Sequence, residues 1–76
     1  MEEKLSCNVS VHEEEQDGKR VFVVDCIELG ISDFGDTLDE AFDNLKKGVS
    51  LLLEEVPEKR SLLIKKEPVM LTRLFL

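Results

Sequence analysis

The sequence predicts an α+β fold with the element order β-β-β-α-β, a sheet in the strand order 3-2-1-4, and one helix packed on one face of that sheet. Residues 5–12 alternate strictly between apolar and polar side chains, which indicates a half-buried strand, and residues 20–26 are rich in strand-forming residues. A later stretch repeats apolar residues at steps of three and four, as amphipathic helices do. Because 76 residues leave room for only one hydrophobic core, residues 1–76 are predicted to form a single domain.

The first two strands are predicted to form an antiparallel hairpin. Residues 5–12 (LSCNVSVH) form the first strand and residues 20–26 (RVFVVDC) the second. The charged residues 13–19 between them are predicted to be a solvated turn that reverses at Asp17 and Gly18.

Side-chain parity in such a hairpin assigns every residue to one of two faces. The face expected to receive the helix carries Cys7, Val9, Val11, Phe22, Val24 and Cys26. The opposite face carries Asn8, Ser10, His12, Val21, Val23 and Asp25. On this second face we expect nothing in the chain to cover Val21 and Val23.

A short turn at 27–30 and a brief third strand at 31–34 lead into the helix, which has a marked start and end. Thr37 and Glu40 have capping-box spacing, and Pro57 cannot continue the helical hydrogen bonds. Gly48 inside the helix suggests close approach of another segment. The apolar face of the helix comprises Leu38, Ala41, Phe42, Leu45, Val49, Leu52 and Val56. The predicted core is Leu5, Val9, Val11, Phe22, Val24, Leu38, Phe42, Leu45, Val49 and Leu52.

The chain after Pro57 divides into a charged segment and an apolar one. Residues 58–67 (EKRSLLIKKE) contain a small apolar cluster at 62–64, and residues 69–76 (VMLTRLFL) are predicted to form the terminal strand. Unprotected strand edges favour pairing between chains, so we expect a homodimer or higher oligomer with Leu71, Arg73 and Leu74 at its interface. The alternative is a monomer in which residues 58–67 fold over the edge.

Composition restricts the class of partner. Seventeen acidic against ten basic residues give a net charge of −7, which disfavours nucleic acid and anionic membranes and favours a basic partner. No signal peptide or membrane span is recognisable, so a cytoplasmic location is expected. Cys7 and Cys26 are expected to be reduced and to pack as small apolar side chains.

Residues 26–55 resemble the central part of the HicB-like antitoxin family, whose members show a Cys-Pro-Glu-Leu turn, a Gly-x-Thr helix start and a Glu-Ala…Asn-Leu…Ala helix. The matching positions are Cys26, Glu28, Leu29, Gly35, Thr37, Glu40, Ala41, Asn44 and Leu45. The resemblance implies a partial ribonuclease H-like fold and an antitoxin that binds and neutralises a small basic HicA-type toxin that cleaves mRNA. Ile27 replaces the turn proline of the family, and no DNA-binding segment follows the domain, so direct DNA binding is not expected of this chain alone.

Catalysis is not expected, and neither a metal nor a cofactor is predicted. His12 is the only histidine and has no marked nucleophile beside it, which favours a solvated strand end. The acids Asp33, Asp36, Asp39 and Glu40 raise the alternative of a two-metal nuclease, but the first strand offers serine and asparagine where an acid would be needed. Capping and solvation explain most of these acids.

Partner binding is therefore the predicted role, and we assign it to Glu28, Asp33, Asp36, Val21 and Val23. The alternative function is that of a non-catalytic homo-oligomeric binding or structural protein that has no toxin partner.

Overall fold

The fold is described here from a computed structural model, which describes residues 4–64 and 72–75. In chain order, its elements are strands β1 (Val9–Gln16), β2 (Lys19–Cys26) and β3 (Ile31–Gly35), helix α1 (Leu38–Glu55) and a 3-10 helix (Pro57–Leu63). The three strands form one antiparallel sheet in the order β1-β2-β3. The predicted α+β class, with one helix packed against the sheet, is confirmed.

Strand β1 begins and ends four residues later than predicted. Asp17 and Gly18 both have positive φ angles, 51° and 77°, as a two-residue type I′ hairpin loop requires. The strands therefore pair right up to the loop, from Gln16 opposite Lys19 to Val9 opposite Cys26. The prediction of a long turn at 13–19 is wrong because backbone pairing does not need apolar side chains. The reversal point at Asp17 and Gly18 is confirmed.

The residues before β1 are held by backbone contacts outside the sheet. The N–H of Ser6 donates to the carbonyl of Leu63 at 2.8 Å, and the N–H of Ile27 donates to the carbonyl of Asn8 at 3.0 Å. The chain before β1 is thus connected both to the turn after β2 and to the last residue of the 3-10 helix.

The turn at 27–30 and the third strand are confirmed. Gly30 has a φ of 65°, which favours glycine, and its N–H closes the turn by donating to the carbonyl of Cys26 at 2.9 Å. Strand β3 then pairs with β2 from Ile31 opposite Cys26 to Gly35 opposite Phe22.

Helix α1 begins and ends at the predicted signals. Thr37 is its N-cap, and the Thr37 Oγ1 accepts a hydrogen bond from the N–H of Glu40 at 3.1 Å. At the other end the N–H of Val56 donates to Leu52, and Pro57 opens the 3-10 helix. The local sequence therefore determines both helix ends.

The core lies between α1 and the predicted face of the sheet. Its buried centre consists of Val24, Cys26, Ala41 and Leu45. Packed against this centre are Cys7, Val9, Phe22, Leu29, Ile31, Phe42 and Val49. Leu63 of the 3-10 helix is also buried.

Two residues of the predicted core are exposed. Val11 is 47% exposed and Leu38 is 39% exposed. Among the described elements, α1 packs on β3 and β2 and not on β1, which leaves Val11 on an uncovered edge strand. The close approach of another segment expected at Gly48 is not found, because the nearest atom to a Cβ built there is Ile31 Cδ1 at 4.0 Å. No close approach requires that glycine.

Both cysteines are free thiols, with Cys26 buried and Cys7 half-buried. Burial, reinforced by a hydrogen bond with Cys26, raises the pKa of the Cys7 thiol to about 11. A thiol with so high a pKa is protonated near neutral pH, which agrees with the predicted role of small apolar packing.

The predicted terminal strand falls mostly outside the described residues, and so does Leu71. Residues 72–75 are described, carry no strand conformation and are exposed. Arg73 lies over the ring of Phe75, with its guanidinium carbon 5.8 Å from the ring centroid. In the described part of the chain, neither helix combines the length and apolar character that crossing a bilayer requires.

Candidate partner-binding face

The sheet face opposite α1 carries the most connected group of polar side chains in the described chain. We call it the open face. Because side chains alternate along a strand, it receives every second residue of each strand. Its members are Ser10, His12, Glu14 and Gln16 from β1, Lys19, Val21, Val23 and Asp25 from β2, and Ser32 and Phe34 from β3.

Asp25 is at the centre of the hydrogen-bond network on this face. Ser32 Oγ donates to Asp25 Oδ1, and Ser10 Oγ donates to Asp25 Oδ2 at 3.1 Å. The hydrogen bond from Ser32 lowers the pKa of the Asp25 carboxyl, and the hydrogen bond from Ser10 and the charge of His12 lower it further. Partial desolvation raises this pKa, but the lowering effects are larger. Asp25 is therefore a carboxylate that stays ionised under more acidic conditions than usual.

His12 lies between two carboxylates. Its Nε2 is 2.8 Å from Glu14 Oε1, and its Nδ1 is 3.5 Å from Asp25 Oδ2. A serine nucleophile needs a hydrogen bond to its base, but Ser10 Oγ donates to Asp25 and His12 Nε2 faces Glu14. What this geometry provides is a pair of acidic groups, not an activated hydroxyl.

The depressed pKa of Asp25 makes a prediction about acid stability. The pKa of Asp25 is lower in the folded chain than its ordinary value of 3.8 in the unfolded chain. The ionised carboxylate therefore stabilises the fold above about pH 3.8, and this stabilisation is lost as the pH falls through the folded pKa. We therefore expect the urea midpoint of Asp25→Asn to fall less between pH 5 and about pH 3 than that of the wild type. Equal losses in the two proteins would contradict this assignment. Asp43→Asn, at an exposed helix position, is the control.

Val21 and Val23 are buried, with exposed fractions of 4% and 9%. The expectation that nothing covers them is wrong. Both lie on the central strand, where larger side chains stand opposite them: Glu14 opposite Val21, and His12 and Phe34 on either side of Val23.

Phe34 is instead the apolar side chain that the open face presents to solvent. It is 48% exposed, and sequence reasoning did not assign it to partner binding. The signal was available, because extending the parity argument from β2 to β3 places Phe34 on the same face as Val23 and Asp25.

The structure does not gather the three predicted acidic residues on one surface. Asp36 lies beside the open face, where its Oδ2 accepts from Lys19 Nζ at 2.8 Å, and this contact raises the pKa of Lys19. Asp33 stands opposite Val24 and so belongs to the helix-covered face of the sheet, where its Oδ1 accepts from the N–H of Phe34.

The carboxylate of Glu28 is bound to Asn8 within the chain. Its two carboxylate oxygens accept from the N–H of Asn8, at 2.8 and 3.1 Å, and one of them also accepts from Asn8 Nδ2 at 2.8 Å. Glu28 thereby connects the turn after β2 with the residues that precede β1.

The acids near the start of α1 do not converge as a metal site would require. Across residues 4–64 and 72–75, no three histidine, cysteine, aspartate or glutamate side chains are close enough to hold a metal ion.

Comparisons of the chain with protein-family models, with curated proteins and with solved structures gave no match.

Proposed function

We propose that this chain is a cytoplasmic binding protein of the HicB-like antitoxin class, which neutralises a small basic HicA-type ribonuclease by covering it. One observation carries the proposal: the carboxylates of Glu14 and Asp25 share one face of the sheet with the exposed ring of Phe34. Aromatic side chains are enriched at the centres of protein interfaces, and the rims of those interfaces are polar.

The open face suits arginine in particular. A carboxylate can accept two parallel hydrogen bonds from a guanidinium group, and an aromatic ring can stack against the same planar group. Asp25 is suited to this role because its carboxylate is already oriented by Ser10 and Ser32. Basic ribonucleases expose arginine and lysine to bind RNA, so this face would compete for the groups with which they bind their substrate.

The resemblance of residues 26–55 to the family and the net charge of −7 support the same proposal. The partial ribonuclease H-like topology is proposed with it, including a fourth strand beside β1 in the order 3-2-1-4. The three-stranded sheet in the order β1-β2-β3 is compatible with that topology and leaves the β1 edge for such a strand.

The test is co-expression with the product of the neighbouring small gene, if that gene encodes a basic ribonuclease. The wild-type chain should relieve its toxicity and co-purify with it. Glu14→Lys reverses one charge on the open face and should weaken binding by about tenfold or more, because like charges are then opposed across the interface. Phe34→Ala should weaken binding by a similar factor.

Glu58→Lys is the matched control, since it makes the same charge change at an exposed position in the 3-10 helix. It should leave the affinity within about threefold of wild type. The association rate of the wild type should also fall steeply as salt is added, because screening shortens the reach of surface charge to about 8 Å at physiological ionic strength. Equal effects of the two lysine variants, or a rate independent of salt, would contradict the proposal.

A second candidate function is a homo-oligomeric binding or structural protein without a toxin partner. It is favoured by the exposure of Leu74 and Phe75, at 80% and 83%. Failure of the chain to bind any such ribonuclease, together with stable self-association, would support it.

A further inference from the structure

Strand β3 lies at one edge of the described sheet, and two of its residues turn their backbone groups away from β2. Backbone groups in an antiparallel pair point alternately towards the partner strand and away from it. The N–H of Ile27, directly after β2, donates to Asn8 on the β1 side, so the even-numbered residues of β2 point towards β3. These residues pair with the odd-numbered residues of β3. The backbone groups of Ser32 and Phe34 therefore form the outer edge of β3.

Side chains occupy both outward-facing backbone groups of Phe34. The N–H of Phe34 donates to Asp33 Oδ1 at 2.8 Å, and the carbonyl of Phe34 accepts from Asn44 Nδ2, also at 2.8 Å. One of these two side chains belongs to β3 itself and the other to α1. A further strand beside β3 needs both backbone groups, so it would have to displace both side chains.

The packing of α1 on β3 explains how Asn44 reaches this edge. Gly35 lets the helix approach the end of β3 so closely that a Cβ there would lie 2.5 Å from the N of Ala41. Asn44 comes three residues after Ala41 and therefore lies on the same side of the helix. From that position its short side chain meets the Phe34 carbonyl directly.

Without these contacts, the outer edge of β3 would favour pairing between copies of the chain. Unpaired N–H and C=O groups at a sheet edge act as a template for a strand of another chain. Phe34 is 48% exposed, so pairing at this edge would also remove apolar surface from water.

We infer that Asp33 and Asn44 close the outer edge of β3 against pairing with a second copy of this chain. The charge of Asp33 adds to the effect of its hydrogen bond, because charged side chains at a sheet edge disfavour strand addition. The ring of Phe34 stays exposed while its backbone is occupied. The inference does not depend on the proposed toxin partner.

The test opens the edge by combining Asp33→Ala with Asn44→Ala in one chain, which we call the open-edge variant. Both outward-facing groups of Phe34 then lose their side-chain partners. Two such edges can pair about a two-fold axis, so the variant should self-associate at a protein concentration about tenfold or more below that of the wild type. Sedimentation over a concentration series measures this difference.

The matched control combines Asp43→Ala with Thr37→Ala. It also removes one acid and one side-chain hydrogen bond of α1, but it leaves the contacts of Phe34 in place. Its self-association should match that of the wild type, and circular dichroism checks that both double variants are folded. Equal self-association of the two double variants would show that a weakened helix is the cause and would overturn the inference.

Ser32→Pro in the open-edge variant identifies the surface involved. The N–H of Ser32 faces outward, so proline there removes no hydrogen bond to β2, yet it takes a donor from the edge. Self-association should return to within about threefold of the wild-type concentration dependence. Association that persists in this folded triple variant would overturn the inference.

Hydrogen exchange at the Phe34 amide provides a measurement that does not require self-association. Asp33→Ala alone removes the acceptor of this N–H, and should lower the protection of the amide against exchange by about tenfold. Asp43→Ala should leave the protection unchanged. Equal protection of the Phe34 amide in the two single variants would overturn the inference.

Discussion

Leu45→Ala is expected to lower the free energy of unfolding by about 2–5 kcal/mol. Leu45 is 4% exposed and packs with Val24, Cys26 and Ala41 at the centre of the core. Truncation there removes buried methyl groups and leaves a cavity between helix and sheet. Because small domains have only about 5–15 kcal/mol of stability in total, the variant should unfold at a much lower urea concentration. Circular dichroism at the helix band would follow the unfolding of both proteins as urea is added.

The control for this prediction lies on the same helix. Leu51 is 63% exposed, so Leu51→Ala makes the same chemical change on the solvent side. It should alter stability by no more than about 0.5 kcal/mol. If the two variants unfolded at the same urea concentration, α1 would have to present a different face to the sheet.

Gly35→Ala is expected to cost about 3 kcal/mol, at the upper end of what overpacking costs. Gly35 is buried at the end of β3, beneath the first turn of α1. A Cβ there would lie 2.5 Å from the N of Ala41 and 2.9 Å from the C of Glu40. Both are backbone atoms, which cannot rotate away as a side chain would. The start of the helix would have to move off the sheet, and urea denaturation would report the loss.

Gly48→Ala is the same substitution with the opposite expected sign. A Cβ at Gly48 would make only an ordinary contact with Ile31, and alanine is a better helix former than glycine by about 1 kcal/mol. If Gly48→Ala stabilises the fold and Gly35→Ala destabilises it, the loss at Gly35 is caused by the clash with the helix backbone, and the gain at Gly48 by the higher helix propensity of alanine. A neutral Gly35→Ala would show that α1 does not approach the end of β3 so closely.

The features that could be predicted from the sequence are those with local causes. Thr37 predicts the helix start because its side-chain oxygen accepts a hydrogen bond from a nearby backbone N–H. Pro57 predicts the helix end because proline has no backbone N–H to continue the helical hydrogen bonds. Asp17 and Gly18 marked the hairpin reversal for an equally local reason. Side-chain parity then assigned Ser10, His12 and Asp25 of the candidate face correctly.

The features that could not be predicted depend on how elements lie against one another. The alternation of β1 gives no information on whether α1 covers it, so Val11 was assigned to the core. Val23 is buried partly because Phe34 stands beside it, and this contact can be known only from the pairing of β2 with β3. The contact of Ser32 with Asp25 depends on the same pairing, so the centre of the open face was found only in the structure.

The hydrogen bond between Ser6 and Leu63 joins two residues that are distant in sequence, one near each end of the folded body. Tension applied to the two ends of the chain would therefore act on this bond before it reached the sheet or α1. Leu63 and the two neighbours of Ser6, Leu5 and Cys7, line an apolar cavity of about 440 Å³ beside α1, so their separation would open that cavity. The wall of this cavity is therefore the part of the folded body on which such tension acts first.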